Sequence, residues 1–127
     1  MGSGSPLVLV VEDDFTLRYL AKRQLASLGF ACDLAEDGAE ALEKVQSQEY
    51  VLILMDVQMP IMSGLEAAQA IRQHEAGNNS DAFTPIIAMT ANPEKQRCFD
   101  AGMNDFMFKP ISLLQMEEAL TRWVPAH

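Results

Sequence analysis

Val51-Leu52-Ile53-Leu54-Met55-Asp56 is a run of five apolar residues closed by an acid. It is too short for a typical helix. It is also too continuous for a strand with one wet face, which would alternate apolar and polar residues. Unbroken apolarity fits a strand covered on both sides, as in a parallel sheet. Leu7-Val8-Leu9-Val10-Val11 repeats the pattern, and Pro85-Ile86-Ile87-Ala88-Met89 repeats it again. Asp105-Phe106-Met107-Phe108 is a shorter fourth run, and Phe30 to Ala35 a weaker fifth.

Amphipathic segments lie between these runs. Leu17, Leu20, Ala21, Leu25 and Leu28 follow helical spacing and stop at Gly29. Ala41, Leu42 and Val45 form a second stripe, Leu65, Ala68 and Ile71 a third, and Met116, Ala119, Leu120 and Trp123 a last. Asp37-x-x-Glu40, Ser63-x-x-Glu66 and Ser112-x-x-Gln115 have the form of capping boxes at helix starts. Asn92-Pro93 supplies an N-cap followed by proline at the first helical position, and Gly102 ends that helix. The elements therefore read as βα repeated five times. That order predicts an α/β fold: a doubly wound parallel sheet with right-handed crossovers and helices on both faces.

The chain has 127 residues, of which 49% are hydrophobic and 21% charged, which suits one globular domain over residues 7–127. Residues 1–6, rich in Gly and Ser, read as a vector-derived leader. A net charge of −9 argues against direct contact with nucleic acid or an anionic membrane. Cys32 and Cys98 lack metal-binding spacing and read as buried reduced thiols in a cytoplasmic protein.

In doubly wound sheets, ligands sit outside the carboxyl ends of the strands. The first strand ends in Glu12-Asp13-Asp14, the third in Asp56, the fourth in Thr90 and the fifth in Lys109-Pro110. Carboxylates brought to one edge repel each other unless a cation sits among them. A hard divalent cation with oxygen ligands, Mg²⁺ above all, answers that need, and the absence of nearby His or Cys disfavours zinc. Thr90 can donate to a phosphoryl oxygen and Lys109 can pair with another. These are the parts of phosphoryl transfer: an oxygen nucleophile, a metal, and donors for the equatorial oxygens. Each residue alone has a structural reading as well: Asp13 or Asp14 as a helix cap, Thr90 as a framework hydroxyl, Lys109 as a surface charge. The combination carries the argument.

Val8-Leu-Val-Val-Glu-Asp13, Met55-Asp-Val-Gln-Met-Pro-Ile-Met-Ser-Gly64, Pro85-Ile-Ile-Ala-Met-Thr-Ala91 and Phe108-Lys-Pro110 resemble the receiver domains of two-component signalling proteins, from Leu7 to about Trp123. The resemblance implies a flavodoxin-like five-stranded sheet of order 2-1-3-4-5. It implies that Asp56 accepts phosphate from a phosphohistidine and that Asp13 and Asp56 ligate Mg²⁺, with Glu12 acting through water. The backbone carbonyl of Gln58 would be a further ligand. Thr90 and Lys109 would bind the phosphoryl oxygens, and a cis peptide would join Lys109 to Pro110. Asp14, just past the acidic pair, would cap a helix. Thr90 and Phe106 would form a switch that reshapes the face of the fourth helix, fifth strand and fifth helix, unless Phe106 is simply core. Phe106 lacks the hydroxyl of a tyrosine, so such a switch would work by packing. Gln58 and Asn92 flank the acceptor where loss of phosphate is tuned. Ser63 stands where the family usually has Asp, and serves equally as an N-cap.

The wording of Asp56-Val-Gln-Met-Pro60 and Ala101-Gly-Met-Asn-Asp105 is most similar to receivers fused to hybrid sensor histidine kinases. That implies a kinase domain and a histidine phosphotransfer domain as partners, with the domain a monomer or weak dimer on the cytoplasmic side of a membrane-anchored parent. Its own role would be assisting its phosphorylation and dephosphorylation; histidine kinase activity would belong to the parent. Other readings are a stand-alone receiver, the receiver of a DNA-binding regulator, a phosphorylation-independent pseudo-receiver, and a haloacid dehalogenase-type phosphatase. The last needs a second acid two residues after the nucleophile, where Gln58 stands.

Overall fold

The computed structural model describes residues 6–59, 62–77, 83–91 and 95–124. The expected Asn92-Pro93 helix start and the role given to Asn92 lie outside these residues.

Among the described residues, five strands and five helices alternate. β1 spans Leu7–Val11, α1 Phe15–Ser27, β2 Ala31–Ala35, α2 Gly38–Ser47 and β3 Leu52–Asp56. α3 spans Gly64–Gly77, β4 Ile86–Thr90, α4 Lys95–Asp100, β5 Asp105–Phe108 and α5 Leu113–Trp123. All pairings are parallel, in the order β2-β1-β3-β4-β5. This is the order implied by the sequence resemblance.

The apolar runs are continuous because both sheet faces are covered. Alternate residues of the central strands feed two cores. Val8, Val10, Leu52, Leu54 and Ile87 pack with Leu25 of α1 and Met116 and Leu120 of α5. Leu9, Val11, Ile53, Met55, Ile86 and Ala88 pack with Ala41 of α2, Ala67 and Ile71 of α3 and Cys98 of α4. β3 and β4 are buried throughout, whereas the edge strands β2 and β5 are only partly so.

Strand boundaries differ slightly from the apolar runs, each for a backbone reason. The Phe30 N–H donates to the Leu25 carbonyl and closes α1, so β2 begins at Ala31. Pro85 has no N–H for the ladder, although its carbonyl accepts from Ile53, and β4 begins one residue later. α4 closes at Gly102, whose φ of +100° is a left-handed conformation open to glycine at no steric cost.

Two side-chain expectations need correction. The α1 stripe does not bury Leu20, which is 44% exposed. The buried face of α1 is instead Arg18, Ala21 and Leu25, and Leu20 turns toward a groove beside Pro110 and Ile111. Cys98 is buried, but Cys32 is only half-buried on edge strand β2. Burial still pushes the Cys32 thiol up to about 11, which leaves it protonated at neutral pH.

Candidate functional site

The carboxyl ends of β1, β3, β4 and β5 meet in a cleft of about 430 Å³ lined by Glu12, Asp13, Asp14, Leu17, Asp56, Gln58, Thr90, Ala91 and Lys109. The local sequence explains each placement. β3 carries Asp56 to the sheet edge. The Asp56 side chain is then held as an acceptor by the Gln58 N–H at 3.1 Å. The β3–α3 connection returns on itself: the Gly64 N–H donates to the Val57 carbonyl at 3.0 Å. A β-carbon at Gly64 would overlap the Asp56 carbonyl oxygen, so only glycine lets α3 start this close to the acceptor. Ser63 caps α3 reciprocally with Glu66, at 3.2 and 3.0 Å.

The β1–α1 turn presents the other acids. Asp14 is the N-cap of α1, with its carboxylate accepting from the Leu17 N–H at 3.0 Å. That leaves Glu12 and Asp13 to face the cleft. Glu12 is 2% exposed and Asp56 3%, whereas Asp13 lies at the solvent edge. Each offers a carboxylate oxygen within 4.8 Å of the other two.

One cation faces this group. Lys109 follows β5 and is joined to Pro110 by a cis peptide. Its backbone N–H donates to the Thr90 carbonyl at 2.8 Å. Its Nζ lies 2.8 Å from Glu12 Oε1 and 3.2 Å from Asp56 Oδ1. Three carboxylates against one ammonium leave the cluster electrostatically unbalanced. Burial first, and then the Glu12 charge, push the Asp56 carboxyl up to about 7, with Lys109 pulling the other way. Burial also works against the charge of Lys109, but its hydrogen bond to Glu12 and the charges of Asp56 and Glu12 outweigh it and raise its pKa. The donor set is all oxygen and carries surplus negative charge, which fits a hard divalent cation such as Mg²⁺ and no soft one.

Thr90 closes β4 and is 5% exposed at the cleft wall. It is paired in register with Phe108, and Ala88, on the same sheet face, with Phe106. Phe106 is half-buried at the second core and meets Phe99 and Phe108 edge-to-face, at centroid separations of 6.3 and 5.2 Å. The cleft thus gathers Glu12, Asp13, Asp56, Gln58, Thr90 and Lys109, and Phe106 lies outside it on β5.

The sequence pattern does not mark Arg18. It is 8% exposed, and its Nη1 donates to the carbonyls of Glu12 and Asp13 at 2.9 and 3.1 Å. The available signal was its place one helical turn after Asp14, amid an otherwise apolar helix face. A cation at that place reads equally well as a solvated charge.

Residues 8–121 match the model of the response regulator receiver domain. Hybrid signal transduction histidine kinase G of Dictyostelium discoideum is 38% identical over 93% of this chain. Sensor protein GacS of Pseudomonas syringae is 37% identical over 97% of it. The chain spans only 4% and 14% of the lengths of those two relatives. Among solved structures, the receiver domain of sensor histidine kinase PA1611 from Pseudomonas aeruginosa, with magnesium in its active-site cleft, has a TM-score of 0.84 and 35% identity, covering 98% of this chain and 100% of that one. The Saccharomyces cerevisiae receiver domain of Ssk1, crystallised with the histidine phosphotransfer protein Ypd1, has a TM-score of 0.88 and 32% identity over 94% of this chain and 89% of that one. With the fold, the matched residues and the acid cleft in agreement, this chain belongs to the receiver domain family of two-component phosphorelay signalling.

Proposed function

We propose that this receiver takes a phosphoryl group onto Asp56 from a phosphohistidine, with Mg²⁺ held by Asp13, Asp56 and the Gln58 carbonyl, and by Glu12 through water. The observation that carries this is the buried Asp56 carboxylate at the strand end, within ligand distance of two further acids and in contact with Lys109. An Asp56 oxygen attacks phosphorus, the P–O bond forms, the P–N bond breaks, and the imidazole leaves with the electron pair. The metal supplies charge neutralisation for the crowded carboxylates and the incoming phosphoryl oxygens. Lys109 exchanges its contact with Asp56 for a phosphoryl oxygen, and the Thr90 hydroxyl donates to another. Gln58, at the cleft wall, flanks the acyl phosphate and tunes its loss.

Thr90 moving toward the phosphoryl group makes room on its sheet face, and Phe106 turns inward to fill it. Phe99 and Phe108, 44% and 42% exposed, rest on Phe106 and carry the change to the α4–β5–α5 surface. The donor and recipient histidines belong to a histidine kinase domain and a phosphotransfer domain, as in a hybrid kinase. A groove of about 230 Å³ between α1 and the β5–α5 connection supports such docking: it is lined by Leu17, Leu20, Met89 and Ile111 and shares Glu12 and Lys109 with the acid cleft. Phe15 on the same helix is 66% exposed.

Incubation with Mg²⁺ and acetyl phosphate, followed by mass spectrometry, tests the reading. A phosphoryl adduct on the wild type that is absent from Asp56→Asn is expected. An adduct of equal yield in Asp56→Asn would overturn it.

A further inference from the structure

We infer that Arg18 is a positioning residue for the metal site, acting through the backbone of the β1–α1 turn. The inference rests on the proposed binding of Mg²⁺ at the acid cleft. Glu12 and Asp13 are consecutive, yet both side chains must face one cation. Their backbone must therefore hold one particular bend. The carbonyls of both residues accept from the same guanidinium nitrogen of Arg18, at 2.9 and 3.1 Å. Two successive carbonyls drawn to one point fix the orientation of the peptide planes between and after them, and with these the directions of the two carboxylates.

Two further bonds brace the same turn. The Asp14 N–H donates to Glu12 Oε2 at 3.2 Å, and the Asp14 carboxylate caps α1. These hold Glu12 and the helix start; among the described side-chain hydrogen bonds of the turn, the one that reaches the Asp13 carbonyl itself comes from Arg18. Asp13 is the exposed member of the cluster and so the one whose aim depends most on its backbone. Arg18 itself is anchored: its helix N–H donates to the Asp14 carbonyl at 2.9 Å, and its guanidinium lies 5.8 Å from the centre of the Phe15 ring. The two carbonyls satisfy Nη1 of this buried guanidinium, so the bend they share is stabilised rather than merely tolerated. Groups that orient metal ligands typically change affinity by about 10- to 100-fold when removed.

The test is titration of magnesium chloride into the wild type, Arg18→Met and Arg18→Lys, followed by the amide shifts of Asp13 and Asp56 in ¹H–¹⁵N spectra. Thermal unfolding is measured with and without Mg²⁺. Arg18→Met should weaken Mg²⁺ about tenfold and shrink the rise in Tm that Mg²⁺ produces. Arg18→Lys, which keeps the charge but replaces the planar guanidinium with one compact ammonium, should fall between it and the wild type. A merely structural arginine would lower Tm equally in both conditions and leave the Mg²⁺ affinity unchanged; affinity within twofold of wild type in a folded variant overturns the inference. Where Arg18→Met does not fold, Arg18→Lys carries the same comparison. Absence of Mg²⁺ binding by the wild type would instead overturn the underlying reading of the cleft.

Discussion

The two ends of the sheet are both built from charged side chains, but they are balanced differently. At the amino end, Arg72 of α3 donates to the carbonyls of Gly102 and Thr84, to Glu75 and to Asn104. Glu75 in turn accepts from the Thr84 N–H, and Asn104 from the Ile86 N–H. Arg72 and Glu75 each have a partner of opposite sign or a matching dipole, and the result ties α3 to the start of β4 and to the α4–β5 connection. At the carboxyl end, three acids cluster, one lysine bridges two of them, and the Asp56 carboxyl is pushed up to about 7. Closed networks specify a fold. An unbalanced one stores a demand for a ligand, and the chemistry belongs where the charges do not cancel.

Substitutions can break this contrast. The largest effect is expected from Asp56→Asn, which should abolish the phosphoryl adduct seen by mass spectrometry. Lys109→Ala leaves Glu12 and Asp56 facing each other without their cation, and should slow phosphorylation by acetyl phosphate on the order of a hundredfold. At the opposite end, Arg72→Met should cost roughly 2–3 kcal/mol in denaturant unfolding. It should leave the rate of Asp56 phosphorylation within about twofold, because the two networks share no residues.

The pH dependence sharpens the same point. Between pH 4 and 7 the metal-free folded protein keeps the Asp56 proton, whereas the unfolded chain has released it. The folded state therefore binds more protons, and stability falls as pH rises through this window. Asp56→Asn should remove this decline and be the more stable protein at pH 8 without metal, by an amount on the order of a few kcal/mol; Mg²⁺ should restore much of that stability to the wild type alone. Urea unfolding at several pH values reads both effects. The smallest change is expected at Ser63→Ala, where loss of the α3 cap should cost about 1 kcal/mol by the same measurement.

Much of this organisation is legible in one dimension because its causes are local. Aspartate or serine three residues before glutamate or glutamine marks a helix start, and all three such pairs cap helices through the expected N–H. Apolar runs mark strands because both sheet faces are covered. The strand-end acids, Thr90 and Lys109 are legible because parallel βα units bring all carboxyl ends to one edge. The exposure of Leu20 is not legible: helical spacing defines a stripe but not how far around the helix the sheet extends. The roles of Arg18 and Arg72 are equally hidden, since a long cationic side chain reads as solvated until a turn of backbone carbonyls is folded beneath it.

Pattern and spacing by themselves determined the α/β class, the alternation of elements and the set of residues at the carboxyl edge. Periodicity and capping act within a few residues, so they survive in the bare sequence. Only the tertiary structure decided that Lys109 bridges Glu12 and Asp56, that Gly64 must lack a side chain to pass the Asp56 carbonyl, and that Arg18 grips the turn carrying Glu12 and Asp13. Those facts depend on distances between segments far apart in the chain, and such distances are fixed only when the two cores close on the sheet.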